Sequence, residues 1–177
     1  MNTEYELRVL EVDKDALREK IEKLGGVLEG EYEQKRYVYD FSPVKESKWI
    51  RLRTNGKVTT LAIKEIVSGE IDGTKEWEVE VSDFEGMSAI LGELGYEARS
   101  YQENRRMRYI LDDVELDIDE WPRIPAYLEI EGASEAEVRR MVELLGVSSD
   151  KVTTSDVASV YEEFYGIDVN AISELRF

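Results

Sequence analysis

The chain of 177 residues contains no cysteine and no histidine. Without thiols there are no disulfides, no thiolate nucleophile and no cysteine-ligated zinc. Without imidazole the usual general base and the Ser-His-Asp arrangement are excluded, and any metal must be held by oxygens, which favours magnesium, manganese or calcium over zinc. No apolar run is long enough to span a bilayer, and the N-terminus goes straight into a charged strand pattern rather than a signal peptide. These features predict no membrane partner and a cytoplasmic location. Positive charge is scarce as well: 23 basic side chains stand against 40 acidic ones, a net charge of −17. That balance argues against a duplex nucleic-acid partner, and an anionic ligand would need its own basic cluster or metal ions.

What is present is a repeated alternation of charged and apolar residues. In the stretch Glu115 to Glu131, Glu115, Asp117 and Asp119 fall on one side of an extended chain while Leu116 and Ile118 fall on the other. Tyr127, Glu129 and Glu131 then oppose Leu128 and Ile130. Pro122 and Pro125 lack the ladder donor, so the turn between the two strands belongs there. The same design places Glu4, Glu6 and Arg8 opposite Tyr5, Leu7 and Val9, and Glu76, Glu78 and Glu80 opposite Trp77, Val79 and Val81.

Along the rest of the chain, Asp13 or Asp15 caps a predicted helix with Leu17, Ile21 and Leu24 at helical spacing. A strand from about Glu31 to Tyr39 puts Arg36 and Val38 on one side, and Ser42-Pro43 is expected to close it. Asn55-Gly56 signals a hairpin between Trp49–Arg53 and Thr59–Lys64, whose charged face carries Arg51, Arg53 and Lys64. A second helix contains Phe84, Met87, Ile90, Leu91 and Leu94. The strand from about Ser100 to Leu111 aligns Asn104, Arg106 and Arg108, and Asp112-Asp113 makes the next turn. Ser134 with Glu137 reads as a capping box before Val138, Met141 and Leu145, and Ser155 is expected to start a last helix with Val157, Val160, Tyr161 and Phe164. With 42% hydrophobic residues and no linker or repeat, this gives one domain over 1–177 of about eight strands and four helices.

The helices can cover only the apolar face of such a sheet. Two architectures remain: an open sheet with its charged face in water, or a barrel that closes with both signs of charge inside. Small barrels are normally filled with apolar side chains, so a charged lining implies cargo. Arginine forks suit phosphate oxygens, and carboxylates reach phosphate through Mg²⁺ or Mn²⁺. A metal-bound polyphosphate explains both halves.

At this point the residues resemble a family. Glu4-Tyr5-Glu6-Leu7-Arg8 is similar to the ExExK signature of CYTH proteins, or triphosphate tunnel metalloenzymes, which include class IV adenylyl cyclases and thiamine triphosphatases. Arg51-x-Arg53, Lys64 after Thr60-Leu61-Ala62-Ile63, Trp77-Glu78-Val79-Glu80, Arg106 with Tyr109, and Tyr127-Leu128-Glu129-Ile130-Glu131 follow in order over nearly the whole chain. The resemblance implies an eight-stranded, mostly antiparallel closed barrel of the α+β class with helices outside. It implies Mg²⁺ or Mn²⁺ held by Glu4, Glu6, Glu129 and Glu131, with Asp117 or Asp119 beside them. Arg8, Arg51, Arg53, Lys64, Arg106 and Arg108 would bind phosphates, and Glu76, Glu78 and Glu80 would orient these bases. Arg8 stands in place of the signature lysine, and Asn104 where a lysine is common.

The expected chemistry is hydrolysis of a triphosphate, with Glu6 or Glu131 positioning and deprotonating water and Arg53 and Lys64 stabilising the transferred charge. Tripolyphosphate, thiamine triphosphate and nucleoside triphosphates are the candidate substrates. Cyclisation of ATP is the rival enzyme reading, with Tyr37, Tyr101 or Trp49 available to stack on a base. A non-catalytic domain binding polyphosphate or a nucleotide for regulation, and an open sheet engaging a protein, are the readings from other classes. A monomer or homodimer is expected.

Overall fold

The computed structural model describes residues 2–45 and 47–177. Eight strands form the body: β1 (Asn2–Val9), β2 (Val27–Lys45), β3 (Lys48–Thr54), β4 (Thr59–Ile66), β5 (Thr74–Val81), β6 (Ala98–Leu111), β7 (Val114–Glu120) and β8 (Tyr127–Gly132). They pair in the order β6-β2-β3-β4-β5-β1-β8-β7, and β7 pairs back onto β6. Every one of these pairings is antiparallel. The sheet is therefore a closed barrel, and the open alternative falls with the β6–β7 ladder. A short β9 (Val152–Thr153) pairs with β1, and β10 (Glu174–Leu175) runs parallel to β6.

Alternation along each strand dictates which side is wet. Leu7, Val9, Leu116, Ile118, Leu128 and Ile130 point outward and pack under α1 (Lys14–Lys23) and α3 (Glu135–Leu145) through Leu17, Ile21, Val138, Met141 and Leu145. Tyr39, Ile50 and Leu52 lie under Phe84 and Leu91 of α2 (Phe84–Glu93). Val160 and Tyr161 of α4 (Val157–Tyr165) join Leu10, Trp121, Tyr127, Val169 and Leu175 in a third cluster. The first two cores thus lie outside the barrel wall, which frees most of the interior for charge, while Trp121, Tyr127 and Val169 of the third face the cavity.

Local signals explain most boundaries. Asp13, in an extended conformation, accepts from the backbone N–H groups of Asp15 and Ala16, so it rather than Asp15 is the cap. Asp156, not Ser155, caps α4 by accepting from Ala158 and Ser159. Ser134 accepts from the Glu137 N–H, while the Glu137 carboxylate takes the N–H of Ala133. Asp112 and Asp113 both have positive φ, 51° and 63°, as a two-residue hairpin turn requires, and aspartate tolerates that region. Asn55-Gly56 opens a four-residue loop instead of a two-residue turn, because the Asn55 side chain accepts from the N–H groups of Lys57 and Val58.

One boundary differs substantially from the sequence reading. β2 does not end at Ser42-Pro43 but runs for 19 residues to Lys45. The β2–β3 register shifts between Asp40 and Lys45, so Pro43 occupies the irregular part of the ladder, where its missing N–H leaves no hydrogen bond unmade.

Because the apolar wall is the seam that holds helices to barrel, truncating it should be costly. Leu128→Ala, at a fully buried site, is expected to lower unfolding free energy by about 2–5 kcal/mol in urea titrations. A loss well under 1 kcal/mol would mean that α1 and α3 do not grip the wall.

Candidate active site: a bore lined by both signs of charge

The inward residues of the eight strands surround a cavity of about 660 Å³. Glu4, Glu6 and Arg8 come from β1, Glu129 and Glu131 from β8, and Glu115 from β7. Arg51 and Arg53 come from β3, Lys64 from β4, Glu76 and Glu78 from β5, and Arg106 and Arg108 from β6. Trp121, Tyr127 and the segment Asp156–Ser159 at the start of α4 also line it.

Ion pairs organise this lining. Arg8 Nη2 sits 2.6 Å from Glu129 and 3.2 Å from Glu6. Arg106 reaches Asp117 and Asp119 at 2.5 Å each and Glu129 at 3.0 Å. Arg108 holds Asp117 at 2.7 Å and Glu115 at 2.8 Å. Lys64 Nζ lies 2.9 Å from Glu4, and Arg51 lies 2.8 Å from Glu76 and 3.1 Å from Glu78. Arg53 has only Glu78, at 3.5 Å, among the described residues.

The resulting field is uneven. Glu129 is buried, which alone would raise its pKa, yet Arg8 and Arg106 hold it well below the usual carboxylate range. Glu131 has no ion-pair partner among the described residues; burial, then Glu4, Glu129 and Glu6, push it up to about 8. Glu4 rises to about 7, through burial and its contact with Glu76, with Lys64 opposing. On the basic side, Arg53 is pushed down to about 10 by Arg51 and by burial.

Among the described residues no three carboxylates converge in metal-coordinating geometry, because Lys64 draws Glu4 aside while Arg8 and Arg106 take up Glu129. The chemistry of the donor set nevertheless fits a hard divalent cation. Glu131 is a half-buried carboxylate, unpaired among the described residues, whose strand position lies directly opposite Glu6, and it raises the local demand for positive charge. Glu4, Glu6, Glu129 and Glu131 are the residues that would hold Mg²⁺ or Mn²⁺.

The remaining sequence candidates sort by position. Glu76 and Glu78 pair with Arg51 and so orient it. Asp117 and Asp119 lie behind Arg106 and Arg108, off the cavity lining, and Glu80 is exposed at the end of β5. Tyr37 stacks on Phe84 with ring centroids 5.1 Å apart, and Tyr101 packs edge-on against Tyr37. Both belong to the outer side of the wall, which corrects their assignment as base-stacking candidates; Trp49 alone of that trio lines the cavity. Sequence reasoning missed Trp121, Asp156 and Ser159 as lining residues. Trp121 abuts Pro122 and looked like turn punctuation; only the barrel's closure brings it inside.

Several buried donors in the lining have no acceptor among the described residues: Nε of Arg8, Arg36 and Arg51, Nε1 of Trp121 and the Tyr127 hydroxyl. The one lining carboxylate oxygen without a hydrogen bond of good geometry among the buried, described atoms, Glu4 Oε2, still has Lys64 Nζ at 2.9 Å. Such a surplus of donors suits an oxygen-rich ligand.

Two outcomes follow from these environments. The raised pKa of Glu131 means that the folded protein holds its proton more tightly than the unfolded chain. Its effect on stability is therefore favourable at low pH and is lost as pH rises from about 4.5 through about 8. In metal-free buffer Glu131→Gln should melt at a higher temperature than the parent at pH 9 and close to it at pH 5; equal melting at both pH values would show that Glu131 is not strained. Asp119→Ala removes a fully buried partner of Arg106 and is expected to cost about 3–5 kcal/mol in denaturant titrations.

The CYTH domain profile matches residues 2–155. No curated protein matches the sequence. Among solved structures, the PH1012 protein from Pyrococcus horikoshii superposes with TM-score 0.75 at 24% identity, covering 86% of this chain and 96% of that one. A proposed adenylate cyclase from Vibrio parahaemolyticus gives TM-score 0.78 at 12% identity, covering 91% and 98%. A proposed adenylyl cyclase from Hippeastrum, described as having a dominant triphosphatase activity, gives 0.64 at 16% identity, covering 93% and 96%. At these identities the structural likeness speaks for the fold alone, while the profile match spans most of the sequence: the chain belongs to the CYTH domain family.

Proposed function

We propose that this protein is a divalent-metal-dependent enzyme that hydrolyses the terminal phosphate of a triphosphate held in the bore. Tripolyphosphate, thiamine triphosphate and nucleoside triphosphates are the candidate substrates. The observation that carries the reading is the pairing of a basic wall, Arg51, Arg53 and Lys64, with an acidic one that contains Glu131, a half-buried carboxylate with no ion-pair partner among the described residues. A polyphosphate with its counter-cations satisfies both walls at once; a monovalent ligand satisfies neither.

In this reading the basic wall does most of the binding and alignment. Arg51 is held by Glu76 and Glu78, so its fork is already oriented when the phosphate chain arrives. Arg53 and Lys64 stand across the same wall and take up the charge that develops on the transferred phosphoryl oxygens. Arg8 and Arg106 fix Glu129 between them. Glu6 or Glu131 accepts the proton of the attacking water, a role that falls to a carboxylate because no imidazole exists in the chain. A bound Mg²⁺ or Mn²⁺ would neutralise phosphate charge and lower the pKa of water in its shell.

Cyclisation of ATP is the second reading. It is favoured by Trp49, which faces the cavity with Val44 and Ile66 beside the basic wall and gives a purine an aromatic surface.

Turnover of tripolyphosphate, thiamine triphosphate and ATP in Mg²⁺ and Mn²⁺ decides between these. Orthophosphate release abolished by EDTA is the expected result; cyclic AMP with pyrophosphate would establish the cyclase, and tight binding without turnover a regulatory domain. Arg53→Ala and Lys64→Ala should each raise KM roughly tenfold or more, as loss of a charge-assisted phosphate contact does. Glu4→Gln and Glu129→Gln should abolish turnover while the barrel stays folded by circular dichroism. Full activity in both would remove them from the metal site.

A further inference from the structure

Arg36 differs from the other arginines of the bore. Arg8, Arg51, Arg106 and Arg108 each touch at least two carboxylates. Arg36 touches none among the described residues. Its Nη2 donates to two neutral amides, Gln34 Oε1 at 3.2 Å and Asn104 Oδ1, and its Nε has no acceptor among the described residues. Yet the residue is only 7% exposed. A buried guanidinium without a counter-charge is among the more expensive arrangements a protein can hold.

The strand register makes matters worse. Arg36 on β2 is the direct cross-strand partner of Arg53 on β3, and both side chains face the cavity. Like charges placed opposite each other repel, and Arg53 itself has only Glu78 at 3.5 Å. Two guanidiniums thus face one space with little negative charge between them.

The surroundings hold Arg36 in place rather than neutralise it. Its guanidinium lies 4.5 Å over the Trp121 ring, which fixes its plane. Asn104 donates through Nδ2 to Asp119 Oδ1 at 3.2 Å, so the amide is set with its oxygen toward Arg36. That end of β6 extends past the last β7 partner, Glu120, and is flanked by the C-terminal segment.

We propose that Arg36, with Arg53 opposite, forms an anion subsite at the Trp121 end of the bore, which holds one phosphoryl group by direct guanidinium–oxygen hydrogen bonds. This rests on the triphosphate reading and adds to it a direction: one end of the phosphate chain lies among Glu4, Glu6, Glu129 and Glu131, and the other reaches Arg36. A metal-bridged contact is not suited to this end, because the groups that touch Arg36 are amides and an aromatic ring rather than carboxylates. Planar guanidinium forks match the paired oxygens of a phosphoryl group.

The test is calorimetric titration of tripolyphosphate into the parent protein, Arg36→Gln and Arg36→Lys, in MgCl₂ and again in EDTA, with melting temperatures of the ligand-free proteins. Arg36→Gln is expected to bind at least about tenfold more weakly in MgCl₂, with Arg36→Lys in between because it keeps the charge and loses the fork. Ligand-free Arg36→Gln should melt no lower than the parent, since the uncompensated charge is gone. Tripolyphosphate affinity within twofold of the parent in Arg36→Gln would overturn the subsite while leaving the triphosphate reading intact, and a lower melting temperature in that variant would assign Arg36 to structure alone. A parent protein that does not bind tripolyphosphate in MgCl₂ would overturn both.

Discussion

Closure of the β6–β7 ladder is the constraint from which the rest follows. A sheet with one ionic face can lie open in water at little cost; rolled shut, it must place that face in a confined space where each charge feels every other. The helices cannot relieve this, because Leu7, Leu116, Leu128 and their neighbours commit the outer wall to α1 and α3. What remains is internal compensation, and the ion pairs of Arg8, Arg51, Lys64 and Arg106 provide it.

That compensation is partial, and its gaps are informative. Pairing a buried charge with one partner rarely recovers its full desolvation cost, so the lining is strained at Glu131 on the acidic side and at Arg36 and Arg53 on the basic side. A ligand need not break every existing pair to bind. It has to satisfy the groups already short of a partner, and these lie on opposite sides of one cavity.

Much of this was legible from the sequence, and the reason is the period of two. Glu4, Glu6 and Arg8 could be assigned to one face because Leu7 and Val9 could be assigned to the other, and the same holds for Glu129 and Glu131 against Leu128 and Ile130. What was not legible depended on neighbours distant in sequence. β1 pairs with β5 and β8, and β2 with β6, so no local pattern could show that Asp119 would lie behind Arg106 or that Arg36 would face Arg53. Trp121 was hidden for a related reason: beside a proline it looked like a turn, and only closure makes it a wall. The continuation of β2 past Pro43 escaped because a proline in an irregular ladder reads locally like one that ends a strand.

Gathering arginines and a lysine inside the barrel has an effect outside it. With 23 basic residues against 40 acidic ones in all, and the charges turned inward nearly balanced between the two signs, the exterior carries almost all of the net negative charge. A free polyanion therefore approaches against a repulsive field and meets attraction only at the mouth. Salt screens that long-range field more than it does the contacts within, so capture should quicken as ionic strength rises from very low values, the reverse of the usual behaviour of a protein steering in an oppositely charged partner.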